Sequence, residues 1–458
     1  MLLDYAFMAS VAALVFGSVT LRLASSKRAM FWFSSVVLAV ILALTLLLQY
    51  TGGSATSMGI LSFNPFSLFF AMLFTAGVLL VNTLAYARAR DYGNFAALAA
   101  LALSGMYLVA FANSLVSVFI GLELMSLPSV FMVLLSKRDS MEAATKLFIM
   151  AALSIATLSM AMVLIYGASG TLSFQQANEG ALVGFAFVLF VAALGFEASV
   201  FPFNVLLPDV YQGSGAYMTA MLGGVNKKVG FAALLQVLIL LFITLKADFA
   251  VVAILAVATM FYGNLVALLQ TDLKRLLAYS SISQAGYILL GIAVANQAGV
   301  SGSLVQIFAH MFLFVGAMSI VAWLESKGRS DIDGTLGLYK DNRLMAIALS
   351  IFLLSMVGLP FTTGFVGKFL IFLSAVNSGL AILAILGIIN SVISIFYYAK
   401  VLTSMYTAKV GGYRIRVDAQ TLAVVGVCLA LTVLFGVYPQ PLVHLAGSAS
   451  SYLFAAGA

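Results

Sequence analysis

Apolar residues in this chain come in long blocks, broken by short polar stretches rich in Lys, Arg, Asp, Asn and Gly. A helix that crosses a bilayer needs roughly 20 predominantly apolar residues. That length predicts spanning helices near 5–21, 29–49, 62–86, 94–111, 114–135, 142–167 and 181–206. Seven more follow near 215–245, 249–269, 276–295, 299–323, 344–376, 380–407 and 419–438, making fourteen. The first block has no basic residues ahead of it, so it is expected to be a permanent span and not a cleaved signal peptide. The longest polar connection, about Glu325 to Arg343, is too short to fold alone, so a single membrane domain is expected.

The basic residues give an independent test of this count. Alternate loops carry Arg22, Lys27, Arg28; Arg88, Arg90; Lys137, Arg138; Lys274, Arg275; Lys327, Arg329, Lys340, Arg343; and Lys409, Arg414, Arg416. Those are sixteen on one side, against Lys246 alone on the other. Basic loops stay on the inner face, and missing or inventing one span would scramble the bias. Fourteen helices in the cell (inner) membrane with both termini outside is therefore the expected topology.

Composition agrees. The 458 residues are 63% apolar and 8% charged, which excludes a soluble enzyme, a nucleic-acid binder or a disordered chain. The net charge of +7 belongs to the loops and lipid headgroups, and no nucleic-acid partner is expected. A single cysteine, Cys428, excludes a disulfide framework or a Cys-ligated cluster within the chain. No phosphate-cradling loop, metal-ligand cluster or nucleophile triad is evident, so no cofactor bound by this chain is expected. Ser280 and Ser281 read as helix-packing, backbone-bonding hydroxyls.

Two spans contain helix breakers. The seventh has Pro202 within Gly195-Phe-Glu-Ala-Ser-Val-Phe-Pro202-Phe-Asn204, then Pro208; the twelfth has Gly358-Leu-Pro360-Phe-Thr-Thr-Gly364-Phe-Val-Gly367-Lys368. Proline lacks a backbone donor and clashes with the preceding turn, so both helices are expected to break in mid-membrane. Such breaks are tolerated where protein or a wet cavity covers the freed backbone. The breaks are five spans apart, an odd number, so a five-helix unit repeated at that interval must be inverted. Spans 4–8 (94–245) and 9–13 (249–407) would then form an inverted pair, flanked by peripheral spans (1–93) and by a last span with a C-terminal tail (408–458). Two unrelated proline kinks would give the same pattern.

A few charges lie inside the spans. Glu123 is near the middle of span 5, too deep to reach the interface, where a charge costs about 3 kcal/mol or more. Glu197 sits in broken span 7. Lys227 and Lys228 are adjacent in span 8, and helix geometry separates them by about 100°, so one is expected inside while the other packs elsewhere or snorkels. Lys368 borders the span 12 break, where freed carbonyls would coordinate an ammonium. Lys400 in span 13 is deep enough to need a partner, whereas Lys146 is one turn inside span 6 and could snorkel. His310 in span 11 fits either the middle of a proton wire or a helix–helix hydrogen bond. Buried lysines with a buried glutamate suit proton relay, since desolvation moves both kinds of group toward neutrality and a neighbouring charge reverses the shift.

The strings Gly121-Leu-Glu123-Leu-Met-Ser-Leu-Pro128, Glu142-Ala-Ala-Thr-Lys146, Pro208-Asp209-Val-Tyr-Gln-Gly213 and Leu273-Lys274-Arg275 through Gln284-Ala-Gly286-Tyr287 occur in chain order. With Gly358-Leu-Pro360 through Gly367-Lys368-Phe369, they resemble the antiporter-like subunits of respiratory complex I (NADH-quinone oxidoreductase), above all the N type. Lysine at 368, where M-type subunits carry glutamate, and the lack of a long lateral helix favour N over M and L. The resemblance covers nearly the whole chain. It implies a proton-translocating subunit with two half-channels, other membrane subunits as partners, and quinone met only through neighbouring subunits. Glu123 matches the family's span 5 glutamate, Lys227 its span 8 lysine and Lys368 its span 12 lysine at the outward exit.

The sequence departs from the family pattern in three places. The family's span 7 lysine is here Glu197, its Pro-Phe-His-x-Trp becomes Pro202-Phe203-Asn204-Val-Leu206, and its Gly-Ala-Pro becomes Gly213-Ser214-Gly215. Two nearby carboxylates would share a proton. Alternatively Glu197 pairs with Lys227 or Lys146, or the first half is impaired. Three functions therefore compete: a redox-driven proton pump subunit, a subunit of a multi-subunit cation/proton antiporter or membrane-bound hydrogenase, and a structural spacer without conduction.

Overall fold

A computed structural model describes residues 2–24, 26–51, 56–58, 61–174, 181–242, 249–407 and 416–457. Lys246, Lys409 and Arg414, three of the loop charges used above, lie outside the described residues. The chain is all-α apart from one short hairpin. In chain order come α1 (Leu2–Ala24), α2 (Lys27–Tyr50), β1 (Thr56–Met58), β2 (Leu61–Phe63), α3 (Pro65–Arg88), α4 (Tyr92–Ala110), α5 (Leu115–Ser136) and α6 (Met141–Ser169). The broken seventh span is α7 (Ala181–Ala198) and α8 (Leu207–Gly213). The eighth is α9 (Ala216–Thr219), a π-helical stretch Ala220–Asn226, α10 (Lys227–Val237) and a second π stretch Leu238–Phe242. Then come α11 (Ala250–Ala267), α12 (Leu273–Ala293), α13 (Gln297–Glu325), α14 (Leu338–Asp341), α15 (Arg343–Val357), α16 (Thr363–Asn377), α17 (Ala381–Tyr406), α18 (Ala419–Val437) and α19 (Gln440–Gly457).

Polar residues set the helix ends. Asn64 and Ser67 form a reciprocal capping box at the start of α3, and Asp272, Asn296, Asn342 and Asp418 accept from the first turns of α12, α13, α15 and α18. Eleven helices among the described residues are long and apolar enough to cross a membrane by length and composition, fewer than the fourteen expected. The difference lies in shorter apolar segments: Asp4–Thr20 in α1, Leu182–Ala198 in α7, and α15 and α16, which are the two pieces of the broken twelfth span. The stretch after residue 438, expected to be a tail, is helical. Leu442, Ala446, Ala449, Ser450, Leu453 and Gly457 fall at i, i+4, i+7, i+8, i+11 and i+15 and are buried along one face of α19. Intervening Gly, Ser and His residues lower its hydropathy and hide it from a span search.

Similar close helix approaches occur in both halves of the chain. In the first, α4 and α5 meet backbone to backbone: a Cβ on Gly105 would lie 2.5 Å from the Met125 nitrogen, and one on Gly121 2.8 Å from the Gly105 oxygen. In the second, α11 and α12 meet the same way, with Gly263 against the Ser283 nitrogen at 2.5 Å and Gly286 against the Met260 nitrogen at 2.7 Å. Small residues let membrane helices approach this closely. Gly263→Val is therefore expected to force α11 and α12 apart at a cost of about 1–3 kcal/mol. It should lower the thermal midpoint of the solubilised protein, whereas Gly426→Ala, on open space in α18, should not.

Both expected breaks exist. α7 ends at Ala198 and α8 begins at Leu207; α15 ends at Val357 and α16 begins at Thr363, with Gly358 at φ 110 and Phe361 at φ 65 in the gap. Gly364 lets α16 pack onto α15, because a Cβ there would lie 2.1 Å from the Ser355 oxygen. The centre of the bundle is α12 and α13, buried along their apolar lengths, together with the eighth span, buried almost throughout. The helices α2, α6, α11, α17 and α18 form the apolar rim.

Candidate functional site

A row of polar side chains runs through those central helices. The π-helical stretch ahead of α10 contains Gly223 and Gly224, pressed against Phe314 and Val315 of α13. It delivers Lys227 and Lys228 at the first two positions of α10, both buried. Sequence geometry separates the two side chains correctly, but neither packs elsewhere or snorkels. The eighth span has protein on every side, so both directions lead inward. Lys227 donates to the Ser281 carbonyl (3.0 Å) and hydroxyl (3.2 Å) on α12. Lys228 bonds to His310 Nδ1 on α13 at 2.6 Å and donates to the Gly223 carbonyl at 3.1 Å. Ser281, expected to be a packing hydroxyl, is thus a direct partner of a buried ammonium.

His310 lies within electrostatic range of Lys228, Lys227 and Lys368, and its Nε2 has no partner among the described residues. One turn back on α13, Gln306 donates to Gln284 of α12 at 2.9 Å, and Gln284 donates to the Met356 carbonyl at 2.8 Å. The same carbonyl accepts from Lys368 at 2.8 Å, as does Val357 at 3.0 Å. These are the last carbonyls of α15, freed by the break, so the interrupted helix is what holds the ammonium. Lys368 also sits 4.0 Å from the Tyr287 ring centroid and 3.4 Å from the Ser391 hydroxyl. Tyr287 and Asn390 complete this end. Nothing in their residue types singled out Gln284, Gln306, Tyr287 or Asn390; only the fold collects them.

The first half has a different arrangement. Glu123 on α5 and Glu197 at the end of α7 are both half-buried and within electrostatic range of each other. The Ser154 hydroxyl, which donates to the Ala193 carbonyl at 2.9 Å, lies against the Glu197 carboxylate. Glu197 forms no ion pair with Lys227 or Lys146 among the described residues. It shares with Lys227 a cavity of about 50 Å³ between α5, α6, the seventh-span break and the eighth span. Pro202 and Asn204 lie in that break, where Asn204 is fully buried and neither of its side-chain polar atoms has a partner among the described residues.

Two other candidates stand apart from the row. Lys400 is exposed on α17 and donates to the Gln270 carbonyl at 3.2 Å, near the end of α11. It lies six residues from its own helix end, so its stem reaches that end and the expected buried partner is not there. Lys146 pairs with Asp209 at 2.7 Å and Glu142 at 2.5 Å, and Asp209 also holds Arg275. Asp209→Asn removes the carboxylate from both contacts and should loosen α8 against α6, seen as faster proteolysis of the solubilised protein.

Beside this cluster is a pair whose lysine reads in the sequence as a loop charge. Lys274 is buried and donates to Glu325 at 2.7 Å and to the Ser214 carbonyl at 2.8 Å. Glu325 accepts from the Ala216 nitrogen at 2.8 Å, the start of the eighth span, and lies 3.5 Å from Lys137 at the end of α5.

Broken helices in matching halves, with unpaired lysines strung between them, define a multi-pass membrane subunit of the antiporter-like class. The chain belongs to the NADH:quinone oxidoreductase/Mrp antiporter transmembrane family, whose pattern it matches over residues 112–394. It is 35% identical to F(420)H(2) dehydrogenase subunit N of Methanosarcina mazei, covering 88% of this chain and 86% of that one. NADH-quinone oxidoreductase subunit N of Desulfitobacterium hafniense is 33% identical, with 88% of each chain covered. A chain of respiratory complex I from Thermus thermophilus superposes with a TM-score of 0.86 at 28% identity, covering 96% of this chain and all of that one. A chain of the Mrp complex from Dietzia sp. shares the fold, with a TM-score of 0.92 at 22% identity over 99% and 98% of the two chains.

Proposed function

We propose that this chain carries protons across the membrane as the N-type subunit of a redox-driven complex of the NADH-quinone oxidoreductase type. The observation that carries this reading is the row itself. Lys227, Lys228 and Lys368 are buried, none makes an ion pair among the described residues, and His310, Gln306 and Gln284 bridge the gap between them. An ammonium in the bilayer interior is costly unless its site is functional. Loading one site raises the cost of charging the next, so a proton taken up at one end displaces another at the far end.

Glu123, Glu197 and Lys227 serve the first half in this reading, and Lys368 the exit. Electrons and quinone belong to partner subunits. The single cysteine supports the absence of a redox centre here, because a Cys-ligated cluster needs four. The sixteen-to-one distribution of loop charges supports a cell-membrane protein with both termini on the outer side. The test uses the assembled complex, purified and reconstituted in vesicles. Lys368→Ala is expected to lower proton uptake per electron, read with a pH-sensitive dye. Unchanged uptake would remove Lys368 from the path.

A further inference from the structure

The cavity shared by Glu197 and Lys227 is polar where it needs to be. Its walls include Ser126, Ser129, Tyr211 and Asn226 along with the two titratable side chains. Asn226 donates to the Ser129 hydroxyl at 2.6 Å, which leaves its carbonyl oxygen buried with no partner. The Tyr211 hydroxyl is fully buried and also makes no hydrogen bond among the described residues, although it lies beside Ser281. Ser281 is the group that holds the Lys227 ammonium. Orphaned polar atoms on the wall of an otherwise largely apolar cavity mark where water binds, and one water takes about 10–15 Å³ of such volume. A few waters therefore fit, in contact with Glu197 on one side and with Tyr211 and Asn226 on the other.

We propose that Glu197 donates its proton to Lys227 through water in this cavity, with Tyr211 and Asn226 as positioning residues. The O–H bond of the carboxylic acid breaks, protons shift along the water and the Tyr211 and Ser281 hydroxyls, and an N–H bond forms on the neutral amine. The products are a carboxylate and an ammonium, with no change in oxidation state. Glu197 is then an acid that loads Lys227, and Glu123, on the other side of Glu197, reloads it. The carboxylate found where the family carries lysine thus conducts with opposite charge logic, and the first half is not impaired. This rests on the proton-carrying function proposed above.

The experiment uses the reconstituted complex with Glu197→Gln, Glu197→Asp and Tyr211→Phe, each first checked for assembly on a native gel. Tyr211→Phe keeps the ring against Phe314 and removes only the hydroxyl. Protons moved per electron should fall in Glu197→Gln, recover in Glu197→Asp and fall partly in Tyr211→Phe. Redox-induced infrared difference spectra should show a carboxylic-acid C=O band that is lost in Glu197→Gln and shifted in Tyr211→Phe, which a purely structural role would not produce. An unchanged ratio in Glu197→Gln, with a lowered ratio in Lys368→Ala, would overturn this inference and leave the proton-carrying function standing. Unchanged ratios in both would overturn the two together.

Discussion

Glu325→Gln is expected to destabilise the subunit by about 3–5 kcal/mol, the cost of removing one partner from a buried ion pair. The glutamine can still accept from the Ala216 nitrogen and from Lys274, so the loss is of charge, not of shape. Lys274 is 2% exposed, and its ammonium donates to the Ser214 carbonyl and to this carboxylate. The pair also joins four elements: α12 through Lys274, α13 through Glu325, the turn into the eighth span through Ser214 and Ala216, and α5 through Lys137. Failure there would release the entry to the helix that carries Lys227. Subunit abundance in membranes and the thermal midpoint of the solubilised complex report the effect. Lys137→Gln serves as control: its ammonium is 48% exposed at 3.5 Å from Glu325, and such exposed pairs contribute about 0–1 kcal/mol.

Breaking the Lys228–His310 contact is the second large effect. At 2.6 Å the two nitrogens are hydrogen-bonded, and groups acting as a unit are not additive. Lys228→Met and His310→Leu are each expected to slow proton-coupled turnover about 100-fold, the order of a lost acid–base group. The double variant should be no slower than either single one. Rates measured in coupled vesicles with and without an uncoupler separate this from damage to electron transfer. Effects that multiplied in the double variant would mean that the two residues act independently.

Much of this is legible in the sequence. Gly358, Pro360 and Gly364 announced a break, and the expectation that freed carbonyls would hold Lys368 matches the Met356 and Val357 contacts. A charge in an apolar block stands out by cost alone, which is why Glu123, Glu197, Lys227, Lys228 and Lys368 were visible. What stayed hidden depends on which way a helix faces. Lys400 and Lys228 sit in similar apolar runs, yet one is on the rim and the other at the centre. The π-helical turn before Lys227 had only Gly223-Gly224 as a cue, and paired glycines are common in membrane helices. Tyr211, Ser281, Gln284 and Gln306 look like ordinary packing residues until neighbouring helices bring them against an ammonium. Lys274 and Arg275 were counted as loop charges because the sequence does not show that the loop folds over Lys274.

If protons cross this chain along the row from Glu123 to Lys368, the stoichiometry of the complex depends on that row. Protons translocated per two electrons are counted in vesicles holding the wild-type complex and holding a complex with Lys227→Met and Lys368→Ala together. The double variant is expected to assemble, to pass electrons to quinone, and to move fewer protons per electron by this subunit's whole share. A ratio equal to that of the wild type would contradict it.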